Sequence, residues 1–226
     1  MEALRLRQQI TETILTVSLE ADGVIAEIDS ETEKLVSIRS LLEARRDRAL
    51  QIGTLANLIT SGAAGIIGTS LQFSDSTAKA GNWIGIGGNS LSTLLSLIGI
   101  RQQQGGKYVL RESPNMLAPL FGRETEYHAT YPEAFWQYLN LPVPTEPERG
   151  TRIERLRKEW IQFGHLDEKE TAKSKDKVAF LTSRSSEQRR LTIDLINDRT
   201  AMLASVKVWA ELMKRDLSKL MGVLRT

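Results

Sequence analysis

Two histidines are the first side chains to consider as general acids, general bases or metal ligands. His128 lies in residues 123–128, which are mainly polar, and His165 follows Gly164. Neither histidine lies at the spacing of a zinc site or of a zincin motif. The chain has no cysteine, which excludes disulfides, thiolate metal sites and a cysteine nucleophile. We therefore expect both histidines to be ordinary loop or surface residues, and we predict no metal site.

Gly106 and Lys107 resemble part of a phosphate-binding loop. That motif needs a glycine at the position of Arg101 and a serine or threonine at the position of Tyr108, so the match fails. The sequence also has no Gly-x-Ser-x-Gly elbow. Most acidic side chains stand near Lys or Arg on predicted helix faces, where solvation explains them. We predict no catalytic residue and no cofactor; an enzyme is a distant alternative, which would have to use the aromatic residues of the middle segment.

The composition favours a folded chain without a nucleic-acid partner. Of 226 residues, 41% are hydrophobic and 26% are charged, and the formal net charge is +2. This charge is too small to indicate nucleic-acid binding. Met1 leads almost directly into a periodic helix, so it is either the native start or the start left after removal of a leader. In the second case we expect a bacterial cell envelope or periplasmic location, and otherwise a cytoplasmic or membrane-associated one.

The N-terminal segment, residues 1–48, has the pattern of a long helix. Steps of four and three residues from Ile10 to Ala56 meet fourteen positions, of which twelve are apolar. This period of 3.5 is typical of a coiled coil or a long-helix bundle. Gly23 weakens the helix by about 1 kcal/mol relative to alanine. We interpret the segment as one helix that tolerates this glycine, with a kink between Gly23 and Glu33 as the alternative.

Residues 49–100 form a predicted helical hairpin rich in glycine. Residues 49–74 and 80–100 contain no charged residue, and basic residues flank both outer ends. Small residues let helices pack closely, and the predicted close-packing positions are Gly62, Gly65, Gly68, Gly81, Gly85 and Gly88. Each stretch is long enough to cross a bilayer with both ends cytoplasmic, but both contain many polar side chains. Three interpretations remain: a hairpin buried in a soluble protein, a membrane hairpin, and one that switches between the two.

The middle segment, residues 101–150, is predicted to be rich in loops, with short helices at residues 114–122 and 131–140. Pro132 suits the first position of the second helix. Aromatic residues are concentrated here, and they either form a small core that caps the bundle or form a surface for a protein partner. The predicted partner surface consists of Tyr127, Tyr131, Phe135, Trp136 and Tyr138.

The C-terminal segment, residues 151–226, is predicted to pack on the N-terminal helix. Thr151 and Glu154 form a capping-box pattern, and Gly164 is expected to end the helix that follows. Residues 167–177 are either a solvated helix face or a loop. Further on, apolar residues repeat every seven positions from Ile196 to Leu224. This segment carries 17 basic and 11 acidic residues, a net of +6, whereas residues 1–48 carry 7 and 10, a net of −3. The opposite charges favour antiparallel pairing of the two segments.

These patterns together predict an all-α fold of long antiparallel helices in a coiled-coil-like stalk, with the glycine-rich hairpin and a small aromatic insertion. The layout of long helices around one uncharged hairpin resembles that of α-helical pore-forming toxins, without any shared motif. We expect a non-enzymatic structural, assembly or interaction protein, of the cell envelope, that binds a protein partner or itself through its helices. The alternative is a membrane-inserting or pore-forming protein that uses residues 49–100.

Overall fold

Five α-helices dominate the part of the chain that the computed structural model describes, namely residues 1–71, 107–109, 115–123, 131–144, 150–169, 171–183 and 190–225. Helix α1 spans Glu2–Leu71, α2 spans Glu133–Asn140, α3 spans Arg152–Gln162, α4 spans Ala172–Leu181 and α5 spans Ile193–Arg225. A 3-10 helix covers Ala118–Phe121, and two paired strands cover Tyr108–Val109 and Arg190–Leu191. The predicted all-α class is confirmed, since the structure is 80% helical.

Helix α1 runs without a break through Gly23 and past residue 48. The favoured interpretation of a single helix with a tolerated glycine is therefore confirmed. A Cβ atom added at Gly23 would meet nothing within 4 Å, so no tight contact requires glycine there. The helix continues into the first uncharged stretch, while the rest of the predicted hairpin, residues 72–100, lies outside the described residues. No helix in the described ranges has a sufficiently long apolar stretch to cross a membrane.

The chain divides into two compact units. The first comprises Met1–Ser37 and Val109–Thr226, and the second comprises Ile38–Tyr108. In the second unit the described structure is mainly the C-terminal half of α1, where Leu42 is fully buried. All further packing described below belongs to the first unit.

The core of the first unit follows the heptad spacing of α1 and α5. Among the α1 positions, Ile14, Ala21, Val24, Ile28 and Leu35 are buried, as are Ile196, Leu203, Val206, Ala210 and Met213 of α5. Acids of α1 bind bases of α5 in reverse order, with Asp22 paired to Lys214, Asp29 to Lys207 and Glu31 to Arg199. This order shows that α1 and α5 are antiparallel, the arrangement inferred from the sequence, in which the opposite net charges favour pairing of the two segments.

Capping side chains set the starts of two short helices. The Thr151 hydroxyl accepts the Glu154 N–H and the Glu154 carboxylate accepts the Thr151 N–H, which confirms the predicted capping box. Gly150 precedes it with φ +83°, and a Cβ there would lie 2.0 Å from Glu154 Oε2, so this position requires glycine. Thr171 and Ser174 form the same arrangement at the start of α4. Residues 167–177 are therefore partly loop and partly the first turns of a helix.

Glycines end two other helical elements at the predicted positions. Gly164 follows α3 with φ +77°, in agreement with the predicted stop. The 3-10 helix at Ala118–Phe121 ends at Gly122, whose φ is +67°, so the short helical turn predicted over residues 114–122 is present in part. Pro132 is the residue before α2 rather than its first residue, a difference of one position.

Candidate interaction surfaces

A buried ion pair joins the two long helices of the first unit. Both Glu31 and Arg199 have side chains with no exposed surface, and Glu31 Oε1 lies 2.5 Å from Arg199 Nη2 and accepts a hydrogen bond from Arg199 Nε at 2.6 Å. Arginine suits such a site because its planar guanidinium forms several hydrogen bonds to one carboxylate while it stays charged. Glu31 occupies a position of the α1 seam, where nearly all other residues are apolar. Its partner lies 168 residues away, so spacing alone did not identify it.

The same carboxylate connects the helix pair to the middle segment. Glu31 Oε2 accepts the backbone N–H of Met116 at 2.8 Å, and the Met116 carbonyl accepts the Tyr131 hydroxyl at 2.5 Å. All three residues are buried. Burial raises the pKa of Tyr131 well above its usual value, and the negative charges of Glu31 and Glu27 raise it further. The tyrosine therefore stays protonated and keeps its donated hydrogen bond.

Asn115 fixes the 3-10 segment on its other side. Its Nδ2 donates to the carbonyls of Leu181 and Ser183 at 3.0 and 3.1 Å, and its Oδ1 accepts the N–H groups of Leu117 and Ala118. The segment is thus held between the end of α4 and the α1–α5 pair. The Asn115 side chain and these backbone groups are hydrogen-bonded to one another, so we interpret Asn115 as a residue that positions the backbone.

Asp198 contacts both His165 and a lysine. His165 Nδ1 lies 2.9 Å from Asp198 Oδ1, and Lys177 Nζ lies 2.8 Å from Asp198 Oδ2. His128 is outside the described residues. Within the described ranges, no three His, Asp or Glu side chains are grouped so that they could hold a metal ion.

The aromatic residues of the middle segment divide between core and surface. Tyr131 and Phe135 are 7% and 1% exposed, with ring centroids 5.3 Å apart, so they belong to the small core that was one of the two interpretations. Trp136 and Tyr138 are half-buried and keep surface that a partner can reach. Tyr127 lies outside the described residues.

The predicted close-packing glycines remain a prediction. Gly62, Gly65 and Gly68 lie in the continuous helix α1, whereas Gly81, Gly85 and Gly88 are outside the described ranges.

The α1–α5 pair has two sections with different exposure, and the Asp22–Lys214 ion pair marks their boundary. We define the inner section as residues 23–37 with 193–213, and the outer section as residues 1–22 with 214–224. The outer section carries seven large apolar side chains, apart from Met1, that are between 42% and 76% exposed: Leu4, Leu6, Ile10, Leu15, Leu19, Leu220 and Val223. The inner section carries only two large apolar side chains of comparable exposure among the described residues, Val36 and Val208. Scattered apolar residues are normal on a surface, but a concentration of them indicates an interaction site.

In the sequence Leu15 and Leu19 lie beside the seam of α1 and widen its apolar stripe, a pattern that suits packing against more than one helix. The structure instead leaves both side chains exposed, at 54% and 70%. No family model matches the chain, and no curated protein or solved structure matches it either.

Proposed function

We propose that this chain is a non-enzymatic helical assembly protein, which associates with further copies of itself through the outer section of the α1–α5 pair. The observation that carries the proposal is the set of exposed leucines in the stretch where the two helices already pair. Leu15 and Leu19 are four residues apart, so they lie side by side on one face of α1. Leu220 and Val223 expose apolar surface at the same end of the pair.

The energy available from this surface suits reversible association. Burying a leucine or valine side chain completely gives about 1.5–3 kcal/mol, and these four side chains are already partly covered. Their sum is on the order of several kcal/mol, against which stands the lost freedom of two associating molecules. We therefore expect weak association, with a dissociation constant on the order of millimolar, and an oligomer that forms as concentration rises.

Charge supports contact between copies. Residues 1–48 carry a net of −3, and α5 carries six basic and four acidic residues, a net of +2, so α1 of one copy and α5 of another attract each other weakly. Such attraction between exposed groups weakens with added salt. Burial of apolar surface does not weaken in this way, so we expect association to survive moderate salt with reduced affinity.

The test is light scattering at increasing protein concentration, with matched variants. In Leu15→Gln/Leu19→Gln two exposed apolar side chains become polar while the buried core is unchanged, so we expect a monomer with native helicity by circular dichroism. The control is Leu141→Gln, since Leu141 is 57% exposed but lies outside the α1–α5 pair. It should associate like the wild type. A wild type that stays monomeric at all concentrations, or a control that fails equally, would contradict the proposal.

A second candidate is insertion of residues 49–100 into membranes. The observation that favours it is the two uncharged stretches with basic outer flanks. The test is high-speed sedimentation followed by a carbonate wash. Retention in a pellet that only detergent dissolves would support insertion, and recovery in the supernatant would count against it.

A further inference from the structure

A groove in the first unit lies between α2, α3 and α5, and its α5 side is formed by residues of both the inner and the outer section. Its volume is about 420 Å³, within the usual size of small-ligand sites. Part of its wall is apolar, from Val143, Pro144 and Leu212, and two aromatic side chains, Tyr138 and Trp209, also line it. The groove therefore offers an apolar side together with the charged groups described next.

The charged lining of the groove is mainly positive. Four cations line it, Arg152, Arg155, Arg215 and Lys219, and one acid, Asp216, which gives a net of +3. Asp216 offsets part of this charge. Its carboxylate lies 3.8 Å from Lys219 Nζ and 4.0 Å from Arg215 Nε, while Tyr138 donates a hydrogen bond to it at 3.3 Å.

Arg152 forms the base of the groove and is held rigidly. It is 4% exposed, and its Nη1 donates to the carbonyls of Tyr138, Leu141 and Pro142 at 3.1, 2.9 and 3.1 Å. Its guanidinium lies over the Tyr138 ring at 3.9 Å and 5.6 Å from the Trp209 ring centroid. These contacts fix the plane of the guanidinium, which is the condition for directed hydrogen bonding to an anion.

One donor of this rigid arginine has no acceptor. Arg152 Nε is buried and has no hydrogen-bond partner among the residues that the structure describes. Leaving a buried donor of a charged group without an acceptor is unfavourable, and the side chain lines a cavity with a surplus of positive charge. This donor has almost no accessible surface, so an anion in the groove would contact the exposed cations Arg215 and Lys219 and would be attracted by the fixed charge of Arg152.

From these observations we infer that the groove binds a small molecule that carries a carboxylate or phosphate group attached to an apolar body. The guanidinium groups and Lys219 hold the anionic group, and the wall around Leu212 and Trp209 covers the apolar part. The inference rests on residues other than those that carry self-association, because none of the groove residues named here is one of the exposed apolar side chains of the outer section. Arg215, Asp216 and Lys219 do lie in the outer section, so binding is measured at a concentration where the chain is monomeric.

The experiment uses the full chain and three probes: phenyl phosphate, inorganic phosphate and the neutral benzyl alcohol. Binding is followed by NMR at the indole N–H of Trp209, which Trp209→Phe identifies among the four tryptophans. We expect phenyl phosphate to shift this signal with saturation, phosphate to shift it more weakly, and benzyl alcohol to leave it unchanged. If phosphate binds as tightly as phenyl phosphate, the site recognises the anion without an apolar body, which overturns that part of the inference.

Matched variants test whether the charges do the binding. Arg215→Gln/Lys219→Gln removes two exposed cations of the groove and should weaken phenyl phosphate binding about tenfold or more, because hydrogen bonds to charged groups are lost. The control is Lys158→Gln, an exposed position of α3 that does not line the groove, which should bind normally. Equal weakening in the control, binding of benzyl alcohol as tight as that of phenyl phosphate, or no shift with either anion overturns the inference. Leu15→Gln/Leu19→Gln should bind phenyl phosphate normally even if self-association fails.

Discussion

The inner and outer sections of the α1–α5 pair have the same heptad spacing but different surroundings. In the inner section Val24, Ile28 and Leu35 are almost completely buried. The backbone N–H of Met116 donates a hydrogen bond to Glu31 there, which holds the middle segment against the helix pair. In the outer section Leu15 and Leu19 are largely exposed. The spacing of apolar residues thus specifies a helix with a seam. Apolar residues beside the seam are buried only where a third element of the fold packs against the helix pair.

The ion pairs between α1 and α5 differ in exposure, with the buried Glu31–Arg199 pair and the partly exposed Asp29–Lys207 pair in the inner section and the partly exposed Asp22–Lys214 pair at the boundary. Glu31 and Arg199 have no exposed side-chain surface, whereas Asp22 and Lys214 are 49% and 35% exposed. Buried pairs are strongly coupled to the fold, and exposed pairs contribute little because water screens them. The inner section is therefore the part where we expect substitutions to reduce stability most.

The largest expected effect is at the buried ion pair. Arg199→Met leaves the Glu31 carboxylate buried without its cation and should lower the free energy of unfolding by about 3–5 kcal/mol, as measured by urea denaturation. The double variant Glu31→Gln/Arg199→Met removes the buried charge and keeps an acceptor for the Met116 N–H. It should recover most of that loss. A loss below about 1 kcal/mol in the single variant would show that water reaches this site.

Two leucines compare a buried seam position of the inner section with an exposed position beside the seam in the outer section. Leu35→Ala creates a cavity in the inner section and should lower the free energy of unfolding by about 2–5 kcal/mol. Leu15→Ala removes the same atoms from an exposed position and should change it by no more than about 0.5 kcal/mol at a protein concentration where the chain is monomeric. Equal effects of the two substitutions would show that Leu15 is buried in the monomer and would remove it from the exposed surface of the outer section.

Tyr131 adds an alkaline test of the inner section. Burial raises its pKa, so above pH of about 10 the unfolded chain loses the phenolic proton while the folded chain retains it. Stability should therefore be unaffected by this group below pH of about 10 and should fall as the pH rises further. Urea denaturation across this range measures the fall, and it should be smaller in Tyr131→Phe. That variant should also lose about 1–3 kcal/mol at neutral pH, since the Met116 carbonyl loses its donor. An identical alkaline slope in both proteins would disagree with this assignment.

The smallest expected effect is at the boundary of the outer section. Lys214→Ala removes a partly exposed cation and should lower the free energy of unfolding by at most about 1 kcal/mol. Added salt should reduce even this difference. Thermal unfolding at low and high salt measures it, and a large loss that does not depend on salt would place Lys214 with the buried pair.

Local signals explain which elements the sequence predicted. The capping box at Thr151, the glycine stop at Gly164 and the heptad seams of α1 and α5 each depend on neighbouring residues, and each is present in the structure. The sequence left open whether helix α4 would form or the region would be a loop. Thr171 and Ser174 form a capping pair without the usual Glu or Gln at the third position, and they lie within a charge-rich run.

Contacts between distant residues explain what the sequence did not predict. Glu31 and Arg199 are 168 positions apart, and the link from Glu31 through Met116 to Tyr131 involves backbone groups that carry no residue-specific signal. The groove of Arg152 likewise gathers residues from three helices. Nothing in the sequence distinguishes Tyr131 and Phe135, which are buried, from Trp136 and Tyr138, which are half-buried, because this difference depends on the tertiary fold.

The most direct test of the outer section as an association surface uses thiols, since the chain has no cysteine. Thr16 and Ser30 are both exposed and occupy equivalent heptad positions, one in each section. In Thr16→Cys and Ser30→Cys the rate of modification by a bulky maleimide is measured as unlabelled wild-type protein is added. We expect the rate at position 16 to fall with increasing concentration while the rate at position 30 stays constant. Constant rates at both positions, or protection at position 30 alone, would contradict association through the outer section.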